Sequence, residues 1–316
     1  MYDREIESSR CISRLRSFFV FSNRFGSPSS LFSMPSGFKL GSWNWNMFPI
    51  YNLSSEVGNL FNLRHLNLKG TEIRKLPKSI GKTSQLTNPE PLPNLSEETS
   101  ERNHESTKLK LQVLSSVKVN DNAMRCVKNL TQLTCLGIEK TKEVDERAWC
   151  SSIEKLQHLC HLGIKASSDE EVLRLEALSL PPPQLRRLHL IGKLDKVPHW
   201  FRSLNNLRAL YLSWSRLAEN PLFYIRSLPN LQRLTLVNAY TGDCFYIPKG
   251  FLTLKSLILH NFPSLNEMVI EKRGTQGILN LWLFNCMALK TLPHGIEHLT
   301  NLQQINLKNV VGIRAP

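Results

Sequence analysis

The pattern Leu-x-x-Leu-x-Leu recurs through this chain at a nearly constant interval, and that recurrence limits the fold more than any other feature. It reads Leu63-Leu66-Leu68, Leu133-Leu136-Ile138, Leu159-Leu162-Ile164, Leu185-Leu188-Leu190 and Leu207-Leu210-Leu212. It continues as Leu231-Leu234-Leu236, Leu254-Leu257-Leu259, Ile278-Leu281-Leu283 and Leu302-Ile305-Leu307, with looser copies beginning at Leu15 and Leu111. From 111 onward the first positions stand at 111, 133, 159, 185, 207, 231, 254, 278 and 302, so every step is 22 to 26 residues.

Successive side chains of a strand point to opposite faces, so the last two leucines of each copy share one side of a short strand. The residues between them face out. A single copy cannot bury its apolar side, and stacked neighbours make one continuous core. The second half of each copy carries spaced apolar residues and turn formers, as in Ile73-Leu76-Pro77-Ile80-Gly81 and Leu289-Leu292-Pro293-Ile296-Leu299. Such segments return as short helix, 3₁₀ or extended turn. The spacing predicts an α/β repeat solenoid, a curved horseshoe or arc with parallel strands on the concave side and short helices and turns on the convex side.

The register breaks twice. One period before Leu63 the chain reads Leu40-Gly-Ser-Trp43-Asn-Trp45-Asn-Met47, with tryptophans where the pattern places leucines. One period after it the chain reads Leu86-Thr-Asn-Pro89-Glu-Pro91, and proline at each inward position is incompatible with a central strand. Codons exist for both stretches that, shifted by one base, restore the pattern: R-V-L-E-L-E-Y after Leu40, and L-R-N-L-Q-T-L-N-L from Thr83. Both breaks are read as slips of the reading frame, the alternative being ordinary diverged loops. Residues 87–108, polar and proline-bearing, read as a disordered or irregular insertion. The organisation expected is a tail at 1–13, N-terminal repeats at 14–86 with a damaged strand near 40–47, the insertion at 87–108 and the main solenoid at 109–316. Because stacking is nearest-neighbour, a repeat lost near 86 should uncouple residues 1–82 from the rest.

Composition narrows the function classes. The net charge of +14 and pI near 9.6 suit an acidic partner. No run of five Lys or Arg occurs, so nucleic-acid binding has no dedicated patch behind it. Seven cysteines without a C-x-x-C spacing suggest neither a zinc site nor a disulfide framework. The apolar run Phe18–Phe21 is too short for a signal peptide, and no stretch approaches the ~18 apolar residues of a membrane span. A cytoplasmic, reducing location is therefore expected. No H-E-x-x-H, G-x-S-x-G or G-x-G-x-x-G occurs. The P-loop-like letters Gly81-Lys82-Thr83 fail the full motif because Leu76 holds the first glycine position. No cofactor, metal or catalytic residue is expected.

Several stretches carry a resemblance: MPSGFKL (34–40), NLFNLRHLNLKGTEIRKLPKSIGK (59–82), NLTQLTCLGI (129–138), LPNLQRLTLVNAYTG (228–242) and LPHGIEHLTNLQQINL (292–307). Together with residues 188–222 they resemble the leucine-rich-repeat region of plant coiled-coil-class NLR disease-resistance proteins, over roughly 14–310. The resemblance implies a non-catalytic, protein-binding module in plant defence. Its partners would be a pathogen effector, a guarded host protein or the nucleotide-binding domain of a receptor. The coiled coil and nucleotide-binding domain of that family are not among these residues. A stand-alone repeat scaffold, or a truncated and frame-disrupted remnant of a resistance gene, are the alternatives.

On such a frame the outward strand positions are the candidate partner-binding surface. The basic members are Arg186, Arg187, His189, Arg208, Arg233 and Lys255, and the aromatic members are Tyr211, Trp214, Trp282 and Phe284. Exposed Trp, Tyr and Arg are the types enriched at binding hot spots. Arg64, His65, His260 and Lys308 hold equivalent outward positions. Trp200 and Phe201, following Pro198, are expected in the core, and Cys286 at a loop position where a side chain bonds to backbone.

Overall fold

The computed structural model describes residues 16–19, 51–60, 62–81, 111–272 and 277–310. The stretches near 40–47 and 83–91, the insertion at 87–108 and the tail at 1–13 lie outside the described residues. The chain divides into two compact units, Met1–Leu136 and Gly137–Pro316.

The first unit holds strands β1 (Ser17–Phe19), β2 (His65–Asn67) and β3 (Val113–Lys118), which pair in parallel in that order. Leu66 is paired in backbone register with residue 18 on one side and Leu114 on the other. The return segments are 3₁₀ turns at Ser55–Asn59 and Lys78–Gly81 and a helix α1 (Asp121–Val127). Asn120 caps α1 by accepting the Ala123 N–H at 2.9 Å, the ordinary remedy for an unpaired helical donor. The sequence predicts that these elements should be uncoupled from the repeats after 109, and the structure corrects that. The backbone of Val113 donates to the Arg64 carbonyl at 2.8 Å, and that of Leu68 to Ser115 at 3.0 Å. Gly81 lies so close to α1 that a Cβ there would stand 2.9 Å from the Cys126 Cα. β3 thus serves as the nearest neighbour of β2 in the stack, although residues 68–112 separate them in the chain.

The Leu136/Gly137 boundary falls inside β4 (Cys135–Thr141). Beyond it the second unit carries β5 (His161–Ala166), β6 (Arg187–Ile191), β7 (Ala209–Ser213), β8 (Arg233–Val237), β10 (Ser256–His260), β12 (Asn280–Phe284) and β13 (Gln304–Lys308). These are parallel neighbours in that order. Leu188, Leu210, Leu234, Leu257 and Leu281 stand in one register row and are fully buried. Each is worth roughly 1.5–3 kcal/mol relative to an exposed side chain. The fold is the leucine-rich-repeat solenoid that the spacing predicts.

The return segments of the second unit include helices α2 (Glu146–Glu154) and α3 (Leu222–Ile225) and a 3₁₀ turn at His199–Ser203. Trp200 and Phe201 are buried in that turn, and the indole N–H donates to the Leu175 carbonyl at 2.9 Å. Strands β9 (Cys244–Ile247) and β11 (Glu267–Ile270) form a second, two-stranded parallel sheet. Alternation fixes this too: Phe245 and Ile247 of β9, and Met268 and Ile270 of β11, are buried while the residues between them are not.

Candidate functional site

Each turn of the repeat brings the residue after the first leucine to the start of a strand. There its carbonyl accepts two N–H groups of the next repeat. The Arg186 carbonyl accepts from Arg208 at 2.8 Å and Ala209 at 3.1 Å, and the Arg208 carbonyl from Gln232 at 2.9 Å and Arg233 at 3.0 Å. Gln232 does the same for Lys255 and Ser256, at 2.8 and 3.1 Å. These forked bonds hold Arg186, Arg208, Gln232 and Lys255 in a row along the strand starts. Arg187 and Arg233 stand one position further on, with Ala209 between them. All five cations are exposed. A shallow polar recess lies between Arg186 and Arg208, completed by Gln184, Asn206 and Asn230. Reading only strand positions misses these three, although each directly precedes the first leucine of a copy.

Two residues further along the strands the character changes. His189, Tyr211, Thr235, Ile258 and Trp282 share one register row. The His189 and Tyr211 rings lie 5.5 Å apart, and Arg233 Nη1 donates to the Tyr211 hydroxyl at 3.4 Å. Trp282 and Phe284 lie 6.1 Å apart on β12, and Phe284 meets His260 edge-on at 6.3 Å. Tyr211, Trp282 and Phe284 are half-buried. The register brings Arg187, Arg233, His189, Tyr211, Trp282 and Phe284 onto one sheet face, cationic at the strand starts and aromatic beyond, with Arg186, Arg208 and Lys255 just before the strands and Trp214 just after β7. Arg64 and His65 belong to the first unit, where His65 Nδ1 lies 3.3 Å from Ser17 Oγ.

Trp214 closes β7 with φ +61°, in the left-handed region that bulky side chains avoid. The equivalent position after the neighbouring strands is Gly192, Asn238, Asn261, Asn285 or Asn309, types that tolerate this conformation. The backbone is held there because the Trp214 N–H donates to the Val237 carbonyl at 2.7 Å. The indole is 37% exposed.

Charge on this face is one-sided. None of β5, β6, β7, β8, β10, β12 or β13 carries Asp or Glu. Among the described residues no carboxylate makes an ion pair with Arg186, Arg187, Arg208, Arg233 or Lys255. Burial, followed by Arg187 and Arg186, pushes the His161 pKa below its ordinary value, and burial alone lowers that of His189.

Other candidates are structural. The Cys286 thiol is fully buried, donates to the Phe284 carbonyl at 3.6 Å and is pushed up to about 11 by burial, against a backbone hydrogen bond from Phe262. Gly81 ends a 3₁₀ turn, and its carbonyl accepts from Asn129 Nδ2 at 3.0 Å. Among the described residues no group of three His, Cys, Asp or Glu could hold a metal, and no helix is long and apolar enough to cross a membrane.

A stack of buried leucine rows with its polar side chains on one sheet face defines a leucine-rich-repeat protein, and the chain belongs to that family: the family model described as a leucine-rich repeat region matches residues 47–313. Its relatives place it further, as a repeat region homologous to that of plant disease-resistance proteins. The disease resistance protein RPM1 of Arabidopsis thaliana is 34% identical over 200 residues, 63% of this chain and 22% of that protein. The probable disease resistance RPP8-like protein 4 of the same plant is 23% identical over 287 residues, 82% of this chain and 31% of that protein. A human volume-regulated anion channel subunit, LRRC8D, is 30% identical over 196 residues, 57% of this chain and 21% of that protein. The chain thus spans less than a third of the length of these relatives.

Proposed function

We propose that this chain is a non-catalytic, protein-binding module of the plant-immune-receptor type, acting in the cytoplasm in recognition of a pathogen effector or a guarded host protein. In the same setting it restrains the nucleotide-binding domain of a receptor. The observation that carries this reading is the banded sheet face of the second unit, with unpaired cations, half-buried aromatics and a strained Trp214, on repeats homologous to those of RPM1. Such a face offers steering charge at its rim and aromatic anchors within it. The reading assigns the chain no reaction, no cofactor and no metal.

The test is capture of a separately expressed nucleotide-binding domain from the matching receptor class by the full chain. Retention that falls when Arg208 and Trp214 are both changed to Ala supports the reading. Absence of retention favours a stand-alone scaffold. The two register breaks favour a third reading, a frame-disrupted remnant. Genomic sequence whose codons at 41–47 and 83–91 cannot yield leucines in a neighbouring frame removes that third reading.

A further inference from the structure

The two bands of the sheet face ask for a ligand with two edges. Adjacent strands lie about 4.8 Å apart, and residues two apart on one strand about 6.6–6.8 Å. Arg187 and Arg233 therefore lie one such two-residue step before the Tyr211–Ile258–Trp282 row, and Arg186, Arg208 and Lys255 one residue further back. Guanidinium groups pair with carboxylates two bonds at a time, and no carboxylate on these strands competes for them. The second row is of mixed aromatic and aliphatic character, with Ile258 half-buried in register with Trp282 and Val237 half-buried in the next row. A nucleic acid would take the cations and leave these aliphatic side chains without a partner. A purely acidic chain would leave the whole second row wet.

We propose that this face receives an acidic amphipathic protein segment, its carboxylates on Arg186, Arg208 and Arg233 and its apolar side chains along the Tyr211–Trp282 row. The assignment rests on the protein-binding reading above and deepens it by naming the chemistry of the segment. Arg233 joins the two bands, since its guanidinium donates to the Tyr211 hydroxyl at 3.4 Å. A carboxylate arriving at Arg233 thus sits directly beside the first ring of the apolar row.

The experiment is fluorescence anisotropy of the full chain with three labelled probes of equal charge. These are a peptide alternating Glu with Leu, an oligoglutamate, and a single-stranded oligonucleotide. The alternating peptide is expected to bind about tenfold or more tightly than oligoglutamate, a difference of roughly 1.4 kcal/mol. The double variant Arg186→Gln/Arg208→Gln should weaken both peptides, whereas Tyr211→Ala should weaken only the alternating one, with circular dichroism confirming that each variant folds. Equal binding of the two peptides, oligonucleotide binding as tight as the alternating peptide, or indifference to the arginine variant overturns the proposal. Capture of the nucleotide-binding domain is scored separately. If it succeeds while the peptides are not told apart, only the present inference falls. If it fails while they are, the receptor reading falls.

Discussion

Arg186 and Arg208 stand side by side at the starts of adjacent strands, tied by a 2.8 Å bond from the Arg208 N–H to the Arg186 carbonyl, and neither meets a carboxylate among the described residues. The backbone sets their spacing, so the repulsion between them cannot be relieved by the strands moving apart. Gln232 holds the next position in the same row, which shows that glutamine fits there. Arg208→Gln should therefore raise the thermal midpoint. The gain should be clear at about 0.01 M salt, where charges are felt over about 30 Å, and nearly gone at about 1 M. Thermal unfolding followed by circular dichroism at both salts checks this.

Trp214 should be cheap to remove. A left-handed conformation costs a residue with a Cβ roughly 1–2 kcal/mol, and Asn tolerates it better. Trp214→Asn is expected to leave stability unchanged or raise it by up to about 1 kcal/mol, unlike the loss that follows truncation of a packed tryptophan. Urea unfolding measures it. A loss beyond about 1 kcal/mol would mean that the indole packs rather than waits for a partner.

Core position and end position should separate sharply. Leu210 is fully buried between two strands, whereas Ile305 of β13 holds the equivalent row and is 41% exposed. Leu210→Ala should cost about 2–5 kcal/mol by lost transfer and residual cavity. Ile305→Ala should cost about 1 kcal/mol or less, because that side chain has little to lose. Denaturant midpoints of the two variants test the contrast.

Acidification should weaken the second unit through His161 and His189. Both have folded pKa values below the ordinary one, so the fold favours their neutral forms. The unfolded chain then binds more protons, and stability rises with pH. The contribution is complete above the unfolded value of about 6.5 and is lost as pH falls from there through the lower folded values. His161→Gln should flatten the fall in thermal midpoint between about pH 7 and pH 5 relative to the unaltered chain.

Much of this architecture is legible in the leucines. Alternation on a strand and a repeat near 24 residues leave little freedom, so Leu188, Leu210 and Leu234 must share one row, and Arg187 and Arg233 the adjacent one. The left-handed Trp214 was legible too, though only by aligning the copies: four asparagines and two glycines are among the residues at its position elsewhere, with Lys140 there also at positive φ. Two features were not. The direct pairing of β2 with β3 depends on strand geometry alone and ignores the 45 residues between Asn67 and Val113. The β9–β11 sheet hides in the return segments, where Phe245-x-Ile247 and Met268-x-Ile270 are too short to separate strand from turn by periodicity.

On the proposed function, a protein partner covers the banded face of the second unit. Hydroxyl-radical footprinting of the full chain, with and without a captured partner protein, tests it most directly. Tyr211 and Trp214 report on that face. Phe223, 47% exposed and stacked on Tyr246 at 5.9 Å beside the second sheet, reports on another surface. Partner binding is expected to slow oxidation of Tyr211 and Trp214 and to leave Phe223 and Tyr246 unchanged. Protection of Phe223 and Tyr246 with Tyr211 and Trp214 still reactive would contradict it.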